Sequence, residues 1–424
     1  MTHPAAQRPR VPAKRQMMVV PILIIVLGAL VTGLVSVVSL ASGVVGIFAI
    51  VVSAGASILC ILLYRWLDRW EPEPPHLVIA AFLWGGGVSI VLVLLLTVLT
   101  PSLAGTDFTA GVLQAPFTEE LAKGLFLVLL VATRRGRGEL NSLTDLLVYA
   151  GFIGTGFSFV EDMLYIASQP SLGEGVGLAL FRIGFGVLGH SLYTSMVAIG
   201  IWLAIQAKSR VVEILAPIGG FAAAMVLHGI HNAAPSFGLV AYFAMQLLIM
   251  LPILIGLALL LRWSRRREQQ ALLSQVPRMV GHGWLSPQEA GWIVRKDWRR
   301  TMPNDPAMKR DLRALRDSVT ELAFLRDRLD RGITGTDLHR QHNELVSLIT
   351  ARLAPVAPYL SRGGPWQPLP ARAVPPGSPL QHYGPQSLPP QLQHPGSGAP
   401  QPPRGQNPPG PGRSGPQGPG RQVG

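Results

Sequence analysis

The residues of this chain whose types could do chemistry sit where charge is expensive. In "APFTEELAKGLFLVLL", residues 115–130, Glu119, Glu120 and Lys123 interrupt an otherwise apolar run. Glu161 and Asp162 follow in "GFSFVEDMLY", Arg182 and His190 lie in the run that ends "LGHSLYTS", and His228, His231 and Asn232 lie in "LHGIHNAA". A charge at the centre of a membrane helix costs at least about 2.5 kcal/mol by insertion scales, so such residues read as functional by default. Lys123 comes four and three residues after the two glutamates and partly shares a helix face with both. One lysine neutralises one glutamate, and a second carboxylate beside a cation and away from water is a candidate general base. Histidine and glutamate together also form a ligand set that suits zinc. Activation of water, a proton or ion relay and metal-assisted hydrolysis are the chemistries open to this set.

The elements that must position these groups are long apolar runs. With 49% hydrophobic and only 14% charged residues, the chain falls well below the roughly 25% charge of an ordinary soluble domain. Eight runs reach the ~20 residues a membrane helix needs, at about 18–40, 44–64, 77–100, 108–132, 145–168, 177–206, 211–232 and 237–262. The expected fold class is therefore all-α: a polytopic membrane protein of about eight transmembrane helices. The first run is too long for the 7–15-residue core of a signal peptide and is kept as a span. Lys and Arg occupy every second loop (Arg65 and Arg69; Arg134, Arg135 and Arg137; Lys208 and Arg210), while the segments 41–43, 101–107, 169–176 and 233–236 hold none. That alternation predicts eight spans with both termini in the cytosol. The single cysteine, Cys60, lies in an apolar run, which excludes an intrachain disulfide.

Counted inward from the outer end of each span at 1.5 Å per residue, Glu119 and Glu120 lie about 17 Å deep, Glu161 about 10 Å and His228 about 6 Å. His190 falls between the outer half and the middle of its span. All of these groups share one slab of the bilayer and can meet in a cavity. Gly151, Gly154 and Gly156, and Gly184, Gly186 and Gly189, stand at spacings that let helices approach closely.

Four parts are expected: a cytosolic N-terminal segment 1–17, a membrane domain 18–262, a cytosolic helical region 263–354, and a disordered Pro/Gly/Gln-rich tail 355–424. Ser286, Pro287 and Glu289 form a helix start with a capping box. Leu312, Leu315, Val319, Leu322, Leu325 and Leu329 mark an amphipathic helix, and a second with Leu338, Leu345, Leu348, Ile349 and Leu353 follows a break at Gly332–Gly335. The two should pack as a hairpin, a candidate surface for a cytosolic partner. The net charge of +13 is spread over topology signals and this region, so no specific nucleic-acid partner is expected.

In chain order, "EELAK" (E-E-x-x-K), "FSFVE" (F-x-x-x-E), the His of "GHSLYTS" and "HGIHN" (H-x-x-x-N) stand on four successive spans, and "YRWLDRWEPEPP" is an acidic, Pro-rich stretch before the third. In these features the chain resembles the PrsW family of intramembrane proteases, related to the CAAX-prenyl endopeptidase and bacteriocin-processing membrane proteases, over about residues 20–262. The resemblance implies that Glu119, Glu120, Glu161, His190 and His228 are catalytic, with Asn232 assisting. Asp162 and His231 depart from the usual motif residues; His231, three residues from His228, adds a further ligand candidate.

On that reading a glutamate deprotonates water, His228 and Asn232 donate to the oxyanion, and Lys123 tunes the carboxylates. The competing mechanism places a divalent metal such as zinc on His190, His228 and Glu120, and the sequence leaves both open, with a lean toward glutamate-activated water and no obligate metal. No H-E-x-x-H, G-x-G-D or G-x-S-G motif points to another intramembrane protease type. The resemblance further implies a single-pass membrane protein as substrate, such as a membrane-tethered anti-sigma factor cut near the outer face, and a bacterial cell membrane as the location. A proton- or ion-coupled transporter and an inactive membrane scaffold are the alternatives.

Overall fold

The computed structural model describes residues 19–67, 73–133, 142–207, 209–332, 336–362 and 366–374, with Leu140, Gly364, Ser378 and Leu380. The expectations for segment 1–17 and for disorder over 381–424 lie outside the described residues. The architecture is all-helical, with no strand among the described residues. Two long helices, α1 (Val19–Leu40) and α2 (Val44–Leu67), lead into α3 (Pro75–Leu99), which carries a π-helical turn at Trp84–Val88. A short turn at Asp107–Thr109 and a second π turn, Ala110–Gln114, feed α4 (Ala115–Ala132). Then come α5 (Leu143–Ala167), α6 (Leu172–Gly186), α7 (Gly189–Ile205) and α8 (Arg210–Ala233). Helix α9 (Leu239–Met245) passes through a π turn into α10 (Leu251–Gly281).

Seven of these segments are long and apolar enough to cross a membrane, so the chain is a multi-pass membrane protein. The expected fourth span is missing from the seven. It is helical from Asp107 to Ala132, but α4 carries Glu119, Glu120 and Lys123. Pro116 does not break it: it follows the π turn at the second position of α4, and the Gly111 carbonyl in that turn accepts from the Asn232 side chain. Leu23, Leu27, Leu30, Leu34 and Val38 on α1 are all exposed, a surface suited to lipid tails rather than water.

Helix α5 runs through the middle of the bundle and is buried along nearly its whole length. Ser142 and Asp145 start it with a capping box. Two glycines set its distance from its neighbours. A Cβ on Gly156 would lie 1.9 Å from the Phe82 carbonyl oxygen, and one on Gly154 would lie 2.4 Å from the Ser191 amide nitrogen. Only glycine permits these approaches, and the second brings His190 against α5.

Helix α10 does not end at the membrane. It continues to Gly281 and joins a C-terminal module made with α11 (Pro287–Ile293), α12 (Pro306–Asp330) and α13 (Thr336–Ser361). The Ser286–Glu289 capping box forms as the residues predict, and all six predicted apolar positions of α12 are buried. Leu345, Ile349 and Leu353 of α13 pack on them in one core with Val276, Met279 and Trp292. The boundary expected at residue 355 falls inside α13, which accommodates Pro355 and Pro358 and runs to Ser361. Beyond it, the Leu369 amide donates to the Pro287 carbonyl (2.8 Å) and the Arg372 amide to that of Pro277 (2.9 Å). Trp366 and Leu380 are buried there. The module is tied to the bundle at the end where α4, α7 and α10 leave it. Thr144 donates to Glu268 (2.8 Å) and Arg331 to Gln206 (3.1 Å).

Candidate active site

Four helices bring the predicted groups together. Glu119, Glu120 and Lys123 are buried on α4, Glu161 lies on α5, His190 begins α7, and His228 lies in the last turns of α8. Lys123 Nζ is 2.7 Å from Glu120 Oε1, 3.3 Å from Glu119 Oε2 and 2.9 Å from His190 Nδ1. It also lies 4.0 Å above the Phe157 ring centroid, so every side of the ammonium meets negative charge, a lone pair or a π face.

An ammonium has only protons to offer, so His190 Nδ1 must accept from Lys123. The ring proton is then on Nε2, which lies 2.6 Å from Glu161 Oε2. Glu161 is fixed in turn by Arg182 Nη2 at 2.9 Å, while Arg182 Nε donates to Asp162 Oδ1 at 2.6 Å. His228 Nδ1 donates to Glu120 Oε1 at 2.9 Å and turns Nε2 toward Glu119, 3.8 Å away. Tyr193 stacks on the His228 ring, with centroids 4.8 Å apart and planes at 15°, and Thr194 donates to Glu120 Oε2 at 3.4 Å.

The two glutamates are therefore unlike. Glu120 is fully buried and saturated by Lys123, His228 and Thr194. Glu119 and Glu161 keep some exposure, 9% and 17% of their side chains, and form the open edge of the cluster. Asn232 lies beside the π turn. Its Nδ2 donates to the Gly111 carbonyl at 2.9 Å, which steadies the π turn before α4 and leaves its second amide proton to offer. His231 also lies apart, 6.0 Å by ring centroid from both Tyr193 and Tyr242.

Asp162 is buried and Arg182 half-buried against it. The opposite charges of Arg182 and of Glu161 with Asp162 on adjacent spans were the signal for this. Tyr193 and Thr194, three and four residues after His190 on its helix face, carried a weaker one.

Ligand atoms of Glu119, Glu120, His190 and His228 all lie within 4.8 Å of one another. Two carboxylates and two imidazoles suit a divalent ion of the zinc type. The Glu161 carboxylate behind His190 is the outer partner that metal-bound imidazoles use to fix their tautomer. The residues fit such a metal, and Lys123 occupies the same pocket of negative charge.

Residues 73–257 match the family model described as PrsW family intramembrane metalloprotease. No curated protein and no solved structure matches the chain.

Proposed function

With residues 73–257 matching the model of the PrsW family of intramembrane metalloproteases, we propose that the protein cuts a single-pass membrane protein within the bilayer, using Glu119 to activate water. The observation that carries this reading is the convergence of Glu119, Glu120, His190 and His228 inside a helical bundle, with Glu119 on the open edge. His228 lies five residues from the end of α8 at Ala233, about 8 Å at 1.5 Å per residue. This end is opposite the one that carries the C-terminal module. The scissile bond accordingly lies in the outer half of a bacterial cell membrane, with the module in the cytosol. A membrane-tethered anti-sigma factor is a substrate of this class.

Glu119 takes a proton from water as the water oxygen bonds to the scissile carbonyl carbon. The C–N bond then breaks, and the same carboxyl returns its proton to the leaving amine. Lys123 supplies positive charge near the developing oxyanion. Glu120 holds Lys123 and His228 in place, and Glu161 with Arg182 holds the tautomer of His190. A divalent metal held by Glu120, His190 and His228 would supply Lewis-acid polarisation of the carbonyl or the water and leave Glu119 as the base.

The test compares membrane-protein N-termini in cells that carry the wild-type chain or Glu119→Gln at equal abundance. New N-termini in or beside transmembrane segments, present only with wild type, are expected and would identify a substrate. Identical sets under several stresses, with both proteins folded, would overturn the reading.

A further inference from the structure

A cavity of about 700 Å³ opens between the membrane bundle and the C-terminal module. Its walls within the bundle are apolar, with Leu63, Leu147, Leu188, Leu192, Leu257 and Leu261 among the lining residues. Its mouth is basic. Arg262, Arg266 and Lys296 line it and are exposed, and Arg265, Arg295 and Arg316 stand beside them. The one acidic residue of the lining, Glu268, is already engaged by Thr144 and Ser264. The change from leucine to arginine comes between Leu261 and Arg262 on α10, where the apolar run ends.

We propose that this cavity binds one anionic phospholipid, its acyl chains between α2, α7 and α10 and its phosphate on Arg262, Arg266 and Lys296. The combination of walls and mouth selects the occupant. A free phosphate has no use for a leucine-lined sleeve, and a zwitterionic lipid leaves net positive charge at the mouth. An acidic peptide satisfies the arginines but cannot fill the apolar depth without burying its backbone polar groups. An anionic lipid satisfies both parts, and each basic residue beside its headgroup strengthens binding about fivefold. The lipid would seal the seam between bundle and module. It would also rest against Ser191, a lining residue next in sequence to His190. The proposal stands apart from the proteolytic reading and does not need it.

The test is native mass spectrometry of the full chain in a non-ionic detergent, titrated with phosphatidylglycerol or with phosphatidylcholine of the same acyl chains. One phosphatidylglycerol is expected to stay bound, with a preference over phosphatidylcholine of at least about tenfold. The triple change Arg262→Gln/Arg266→Gln/Lys296→Gln should remove that preference. Leu257→Trp, which fills the sleeve and leaves the charges in place, should release both lipids. Equal retention of the two lipids, or retention unaffected by either variant, would overturn the proposal. Displacement of the lipid by millimolar glycerol phosphate would overturn it in favour of a soluble phosphate ligand. Displacement by an acidic peptide would do so in favour of a protein partner.

Discussion

Lys123 in the membrane bundle and Arg326 in the C-terminal module are both fully buried cations, and each has histidine within hydrogen-bond distance. What surrounds them differs. Lys123 faces Glu119 and Glu120 as well as His190, and the cluster keeps an open edge at Glu119 and Glu161. Arg326 donates to His342 Nε2 at 3.2 Å, His282 Nε2 at 3.1 Å and Gln275 Oε1 at 3.4 Å, and lies 4.9 Å above the Trp284 ring. His282, Gln275 and His342 are themselves buried. The first arrangement gathers carboxylates around one ammonium and leaves one of them room to exchange a proton. The second places two imidazoles, an amide oxygen and an aromatic ring against a guanidinium, and buries it. A buried cation with histidines is thus no sign of a reactive centre. Surplus carboxylate with partial exposure is the better sign.

Four experiments would break or sharpen that contrast. The largest effect should come from Glu119→Gln, which keeps the shape and removes the base. Cleavage of a substrate, followed by its new N-terminus, should fall about 10²–10⁴-fold with little change in thermal unfolding. Equal activity would move the base to Glu161. Next, Lys123→Met leaves two buried carboxylates without their cation and should destabilise the bundle by about 3–5 kcal/mol. Thermal unfolding in detergent reads this effect, and Arg326→Met, which removes the donor to His282, His342 and Gln275, should cost about 1–3 kcal/mol. A reversed order would mean that the two clusters do not differ as described.

The third is a pH effect in the module. Burial, and after it the charge of Arg326, pushes His282 down to about 4 and His342 down to about 3. In the unfolded chain both titrate near about 6.5. Below that value the unfolded chain binds protons that the folded module refuses, so stability is full above about pH 6.5 and falls as pH drops toward 4. Hydrogen exchange of α12 and α13, corrected for intrinsic rates, should show faster opening at pH 5 than at pH 7.5, and His282→Gln should flatten the dependence. A flat wild-type profile would sink the assignment. The smallest effect is local. Ser286→Ala removes the side-chain acceptor of the Glu289 amide and should cost about 1 kcal/mol, seen as faster exchange in α11 with no effect on the bundle.

Much of the architecture was legible because its physics is local. Apolar runs of membrane length become helices whatever surrounds them, since backbone groups in lipid must pair within the segment. The leucines of α12 repeat at helical spacing, and they are the residues that become buried. The capping residues Ser286 and Glu289 act within one turn. The end of the module was less legible. Residues 366–374 have the composition of a tail and are held by backbone hydrogen bonds to Pro277 and Pro287, partners about ninety residues away that no local pattern reveals.

At the site the division is similar. Residue type and order alone determined that Glu119, Glu120, Lys123, Glu161, His190 and His228 lie at related depths in an apolar phase, because depth follows from position along a helix of fixed rise. Rotation about each helix axis, and which neighbour a side chain meets, depend on how helices pack, and tertiary structure decided those. It turned Arg182 onto Glu161 and Asp162, set Asn232 against the Gly111 carbonyl, kept His231 out of the group of converging ligand atoms, and joined Glu120 to His228 across 108 positions of sequence. It also made one of two adjacent glutamates a locked counter-ion and left the other at the open edge, a difference of about 100° around a single helix that the string "EE" does not contain.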